Sequence, residues 1–484
     1  MAINGGRIGG SQLTDLHILI VPFPAQGHML SLLDLVCSLA STHDDLTITV
    51  AVTRGNVALL RPLLSRSLSN IRTLVLPFPS DPFIPEGIEN CKDLSGKYFF
   101  PMIHVLTKLH GPILEWARSA ENPVDAIISD FFLGWTEFLA RDLGIPRIVF
   151  SPSGAFTLCS IHYLWRNMPK KEDFAESDFV INFFTIPNSP AFPWAQISGI
   201  YRSYQEGDQV SESIRRGFEA NMESWGYLFN TFEALEEPYL EHLRKDMDHE
   251  RVWAVGPLGT ISNTGEERGG ISTVPMDNLM NWLNTCSDGS VVYVCFGSQA
   301  VLSNEQTKTV MFGLENSRSK FIWSVKTSGD GEDGEVPVEF DKKMVGRGMV
   351  IRGWAPQLAI LSHPAVGSFL SHCGWNSTLE AVSAGVPLIT WPLNADQFFN
   401  ARLLKEIGVG VCADAGWEDS DEYSSSLSKI IHKSTSSGKL DDVRMKIAEL
   451  RSNALKSVAA GGTSTQSLKL FVNELRSFTG KKLV

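Results

Sequence analysis

The stretch SHCGWNSTLEA, residues 371–381, sets a histidine beside a cysteine, then a glycine, a tryptophan and small polar residues before a helix-like run. Such residues permit three chemistries: a metal site, a reactive thiol, or a cradle for an anion. The apolar run Gly367–Leu370 just before it reads as a strand, and a helix opens at about Ser377. Free backbone N–H groups and the positive end of the helix dipole would then point beyond the strand end, where a pyrophosphate could sit. Gly374 permits close backbone approach, while His372, Asn376 and Ser377 can donate to phosphate oxygens.

Further residues could complete such a site. Trp354 and Gln357 follow the strand-like Val350–Arg352, and an indole face with an amide can stack on a planar base and read its edge. Glu380 lies three residues past Ser377, placed either to accept from vicinal hydroxyls or to act as a capping-box carboxylate. Asp396 and Gln397 put a carboxylate beside an amide, a pair suited to adjacent sugar hydroxyls. In the first half, PFPAQGHMLSLLDL places His28 in a loop between a strand and a helix, and histidine is the usual general base near neutral pH. IISDFF puts Asp130 at the carboxyl end of a later strand, so both side chains can converge at one edge of a parallel sheet.

The elements needed to hold these residues are present. The chain has 484 residues, 43% hydrophobic and 20% charged, which suits two domains. A net charge of -12 argues against nucleic acid, though not against a single anionic ligand. Seven cysteines (37, 91, 159, 286, 295, 373, 412), odd in number and never in CxxC spacing, read as reduced thiols of a cytoplasmic protein and weaken the metal reading. The DSD at 419–421 sits in a charged run and reads as a solvated loop, not as a metal site. No apolar run of about 18 residues could span a membrane, and LHILIVPFP fits a buried strand better than a secretory signal.

Short apolar runs alternate with helix-period segments, the pattern of parallel βαβ units. Strands are expected at His17–Pro22, Leu46–Val52, Ile71–Leu76, Asp125–Ser129, Pro146–Phe150 and Gly226–Phe229. A second set follows at Val291–Phe296, Phe321–Val325, Val350–Arg352, Gly367–Leu370, Pro387–Thr390 and Gly408–Cys412. The Gly, Ser and Thr-rich stretch 255–275 reads as a linker between domains 1–254 and 276–460, with a terminal helix in 461–484 packing back on the first domain. Two doubly wound α/β halves would face a cleft at the carboxyl ends of their strands. Residues 160–210 are irregular and rich in proline and aromatics, so they either line an apolar pocket or cover the first core.

The run Trp354–Gln397, WAPQLAILSHPAVGSFLSHCGWNSTLEAVSAGVPLITWPLNADQ, closely resembles the signature box of plant family 1 UDP-sugar-dependent glycosyltransferases. That resemblance implies a GT-B fold and an inverting hexosyltransferase acting on UDP-glucose and a small phenolic acceptor such as a flavonoid or hydroxybenzoate. It implies no cofactor and no metal, and a monomer. It assigns Trp354, Ala355 and Gln357 to uracil, Glu380 to ribose, and His372 with Gly374, Asn376 and Ser377 to the diphosphate. Asp396 and Gln397 would hold the hexose, with Trp375 beside it, while Ser151, Ser298 and the backbone at Gly27 would complete the donor site. Gln397 favours glucose, although relatives use rhamnose or pentoses, and transfer could be to oxygen or carbon. His28 and Asp130 match the family's catalytic pair. Phe99, Trp135, Phe156, Phe183, Trp194 and Leu393 are candidate acceptor-lining residues by loop position, with packing into the buried core the commoner fate of any one such residue. Rival readings are a UDP-sugar binder that has lost catalysis, or another UDP-sugar enzyme such as an epimerase or hydrolase.

Overall fold

The computed structural model describes residues 16–64, 68–94, 98–170, 179–259, 270, 272–326, 334–413, 421–436, 438 and 440–480. Most of the linker stretch (260–269 and 271), residues 419–420 of the acidic run and residues 481–484 lie outside the described residues.

The first parallel sheet is built from β1 (Leu16–Val21), β2 (Leu46–Thr53), β3 (Ile71–Leu76), β4 (Ala126–Asp130) and β5 (Arg147–Ser151). After a two-stranded hairpin of β6 (Val180–Asn182) and β7 (Ala191–Pro193), the sheet gains β8 (Gly226–Phe229) and β9 (Val252–Ala254). Its order is β3-β2-β1-β4-β5-β8-β9. The central strands β1, β4 and β5 are buried throughout, as expected of near-continuous apolar runs covered on both faces, whereas edge strand β3 is largely half-exposed. The second sheet holds β10 (Val291–Cys295), β11 (Lys320–Val325), β12 (Gly348–Arg352), β13 (Val366–Ser371), β14 (Leu388–Thr390) and β15 (Gly410–Cys412). Its order is β12-β11-β10-β13-β14-β15.

Each sheet therefore reverses its winding at one point, between β1 and β4 in the first and between β10 and β13 in the second. A crevice opens at such a switch point because the loops leaving the two neighbouring strands diverge. The registers Val21↔Ser129 and Cys295↔Ser371 bring the carboxyl ends of each pair level. These strand ends and the turns just beyond them carry His28, Asp130, Gly297 and His372.

One apolar cluster fills the space between the first sheet and the helix Gln26–Thr42, and includes Leu468, Phe471, Val472 and Leu475 of the terminal helix Thr463–Gly480. That helix docks on β9, with Trp253 edge-on to Phe471 at 5.2 Å, and an Arg476–Asp45 ion pair holds it further. A second cluster covers the opposite face and runs on into the second domain, joining Phe156 and Phe183 to Phe399, Trp375 and Leu379. The third lies inside the second domain. Among the described residues no helix is long and apolar enough to cross a membrane, and none of the seven cysteines is in a disulfide.

Strand β9 and the hairpin β6–β7 were not expected from the sequence. All three are only three residues long, too short for alternation to register.

Candidate active site

His28 lies in the first turn of the helix Gln26–Thr42, directly beyond β1. Its Nδ1 meets Asp130 Oδ2 at 2.7 Å, and the Asp130 side chain is wholly buried at the end of β4. Asp130 Oδ1 accepts from the backbone N–H of Phe132 at 2.9 Å. The carboxylate is thus anchored on one oxygen and free to hold the imidazole with the other. The ring itself is clamped by aromatics, stacked on Phe132 at 4.9 Å and edge-on to Phe23 at 5.4 Å. With Nδ1–H committed to Asp130, Nε2 is left as the proton acceptor.

Behind Asp130, the buried Arg147 places all its donors. Nε reaches Ser129 Oγ, Nη1 reaches Asn221 Oδ1 and Ser224 Oγ, and Nη2 reaches the carbonyls of Asp130 and Leu133. Burial lowers this guanidinium to about 10, which still leaves it charged at neutral pH. It pins the turn Phe131–Leu133 that presents Phe132 to the histidine.

Across the cleft, the helix after β13 begins at Trp375 with Gly374 as its N-cap, two residues earlier than expected. The first intrahelical bond is Thr378 N–H to Gly374 O, so the N–H groups of Trp375, Asn376 and Ser377 have no carbonyl of their own helix to meet. His372 packs between two glycines: a Cβ on Gly297 would come within 2.6 Å of its Nε2, and one on Gly374 within 2.5 Å. Gly297 also has φ +83°, a conformation side chains resist. Burial pushes the His372 imidazole down to about 4, so it is neutral at pH 7 and can donate one N–H.

Gln357 Nε2 donates to Ser377 Oγ at 2.9 Å and to Glu380 Oε2 at 2.8 Å, joining the base-reading and ribose-holding candidates in one network. Trp354 lies against Gly270, and Ala355 is buried beside it. Gln397 Oε1 accepts from the N–H groups of Leu393 and Asn394, so its carbonyl braces its own loop. Ser298 sits half-buried in the turn after β10.

Three residues of the 371–397 stretch bond directly to the first domain. Trp375 Nε1 donates to Asn230 O at 2.7 Å, Asn376 Nδ2 donates to Gly27 O at 2.9 Å, and Asp396 Oδ2 accepts from Ser153 Oγ at 2.9 Å. The cleft is closed by the residues expected to hold the donor. Burial raises the Asp396 carboxyl above its usual range, against hydrogen bonds from Asn400 and Ser153.

Several expected positions fall elsewhere. Ser151 is fully buried and turns its hydroxyl onto Ser153 O at 2.8 Å; the hydroxyl that faces the cleft is Ser153. Phe156 and Phe183 are core residues, packed on Phe399 of the second domain at 5.6 and 5.9 Å. Trp135 is likewise buried in the first domain. Trp194 is half-buried between Phe179 and Tyr201, and Leu393 packs on the second domain's core. Phe99 does reach the site, edge-on to both Phe23 and Phe132 at 5.5 Å. Cys373, buried with φ +65°, holds its thiol well above the usual range because of burial. Among the described residues no cluster of three or more His, Cys, Asp or Glu is arranged to hold a metal ion.

Sequence reading missed Phe23, Phe132, Ser153, Ser31 and Asn230. Phe132 stands two residues past Asp130 and could have been found as its neighbour; the others carry no local signal.

Two facing doubly wound domains, with a His–Asp pair at the strand ends of one and a helix start with unpartnered N–H groups at those of the other, have the architecture of a GT-B glycosyltransferase. The chain belongs to the plant UDP-glycosyltransferases. Residues 251–442 match the family model described as UDP-glucoronosyl and UDP-glucosyl transferase. UDP-glycosyltransferase 89B2 of Stevia rebaudiana is 48% identical over 466 residues, covering 95% of this chain and 97% of its own. Flavonol 3-O-glucosyltransferase UGT89B1 of Arabidopsis thaliana is 47% identical over 471 residues, covering 96% and 97%. Among solved structures, Arabidopsis thaliana UGT89C1 complexed with UDP-L-rhamnose superposes with a TM-score of 0.76 at 32% identity, covering 95% of this chain and 99% of that one. Glycyrrhiza uralensis UGT73P12 complexed with glycyrrhetinic acid 3-O-monoglucuronide gives 0.85 at 28% identity, covering 97% of each.

Proposed function

We propose that this UDP-glycosyltransferase is an inverting enzyme that moves glucose from UDP-glucose to a hydroxyl of a small phenolic such as a flavonoid or hydroxybenzoate. The observation that carries this reading is the 2.7 Å His28–Asp130 contact, facing a helix start suited to a diphosphate. His28 Nε2 takes the proton of the acceptor hydroxyl, and the oxygen attacks the anomeric carbon on the face opposite UDP. The bond from that carbon to the diphosphate oxygen breaks, and its electron pair leaves on UDP. Asp130 holds the imidazolium that forms.

The leaving diphosphate is stabilised by the N–H groups of Trp375, Asn376 and Ser377, the helix dipole, and the neutral His372. Trp354, Ala355, Gln357 and Glu380 take the uridine. Asp396 and Gln397 take the hexose, helped by Ser153 in place of Ser151, with Trp375, Ser298 and the backbone at Gly27 close by. Metal and cofactor play no part in this reading. The acceptor enters beside Phe99, Phe23 and Phe132. We assign acceptor binding to residues 1–254 and donor binding to 276–460, in a cytoplasmic monomer.

The relative described as a flavonol 3-O-glucosyltransferase supports both glucose and a flavonoid. A second donor reading, rhamnose, is favoured by the likeness to the UGT89C1 complex with UDP-L-rhamnose. Incubating the purified protein with UDP-glucose or UDP-rhamnose and a mixed phenolic library, followed by mass spectrometry of the products, separates the two. Sugar-nucleotide conversion without an acceptor, or UDP binding without any product, would reject the transferase reading.

A further inference from the structure

The helix that carries the base and the helix that opens the cradle are joined through one amide. Asn376 Nδ2 donates to Gly27 O at 2.9 Å, and Ser31 Oγ donates to Asn376 Oδ1 at 2.7 Å. The amide oxygen can only accept and the Gly27 carbonyl can only accept, so these two contacts together fix which way the amide points. Ser31 is completely buried, one turn along from Gly27 and His28, and its hydroxyl also lies 3.0 Å from Gly27 O. A Cβ on Gly27 would come within 3.1 Å of Asn376 Nδ2, a tight contact that the amide could meet only by shifting.

We propose that Ser31 is a positioning residue of the transfer reaction, orienting Asn376 so that the base and the diphosphate cradle share one register. This rests on the proposed function. UDP is gripped from the second domain, and the register with His28 matters only when the acceptor oxygen must meet the anomeric carbon. Loss of the Ser31 hydroxyl therefore falls on turnover and spares UDP affinity.

The test is a double-mutant cycle of Ser31→Ala, Asn376→Ala and the pair, with UDP-glucose and whichever phenolic the wild type glucosylates. UDP binding and thermal unfolding are followed in parallel. Ser31→Ala is expected to lower kcat by about 3- to 10-fold, the loss of one hydrogen bond, with the Kd for UDP changed by less than about 2-fold. The pair is expected to be no slower than Asn376→Ala alone, because both remove the same contact. A kcat for Ser31→Ala within about 2-fold of wild type, losses that multiply in the pair, or a loss carried by UDP affinity would each overturn the proposal. A wild type that turns over no UDP-sugar would instead overturn the proposed function, and this inference with it.

Discussion

The imidazole of His28 and the carboxylate of Asp130, 102 positions apart in the chain, meet at 2.7 Å because β1 and β4 are neighbours whose carboxyl ends are level. The relationship follows from sheet order, and it makes Asp130 the group that decides which imidazole nitrogen is free.

Asp130→Asn keeps the shape of the side chain but removes the charge that stabilises an imidazolium. Initial-rate kinetics at saturating donor are expected to show kcat lowered by roughly 100- to 10,000-fold. The melting temperature should move little. A loss smaller than about tenfold would remove Asp130 from the mechanism.

Gly297→Ala would set a Cβ within 2.6 Å of His372 Nε2 at a residue with φ +83°. Relief requires displacing the imidazole, at a cost on the order of 1–2 kcal/mol. Calorimetric titration with UDP should show binding about tenfold weaker or more. Unchanged affinity would show that His372 does not touch the diphosphate.

Two buried histidines make the fold sensitive to acid. Burial lowers His372 and His162 from the ordinary 6.5 to about 4. Since each binds a proton more weakly when folded, its contribution to stability is complete above 6.5 and is lost as the pH falls through the window down to about 4. Each contributes up to about 3 kcal/mol across that window. Denaturant unfolding at a series of pH values should show stability dropping between the two limits, and His162→Leu should make the drop shallower. A flat profile in both proteins would contradict the burial argument.

Phe471 is fully buried in the terminal helix, edge-on to Trp253. Phe471→Ala is expected to cost about 3–5 kcal/mol, read as a lower denaturation midpoint, with the Kd for UDP preserved at temperatures where the protein stays folded. A change below about 1 kcal/mol would mean that the terminal helix adds little to the first domain.

Much of this was legible in the sequence because its signals are local. The parallel strands announced themselves as apolar runs, and His28, Asp130 and the 354–397 box stand where strand ends give way to loops. What was hidden depends on long-range neighbours. Phe156 and Phe183 look like pocket aromatics by loop position, yet Phe399 of the other domain covers them. Ser151 and Ser153 point to different surroundings although they stand two residues apart at the end of one strand, and only the turn geometry decides which meets Asp396. Asn230 contacts Trp375 through its backbone carbonyl, which no residue type could reveal.

The most direct test is His28→Ala, assayed for product by mass spectrometry while UDP affinity is measured by calorimetry on the same preparation. Transfer to weakly acidic phenolic hydroxyls is expected to fall by at least about 100-fold with the Kd for UDP within about 2-fold of wild type. Transfer at wild-type rate would contradict His28 as the base, and with it the proposed mechanism.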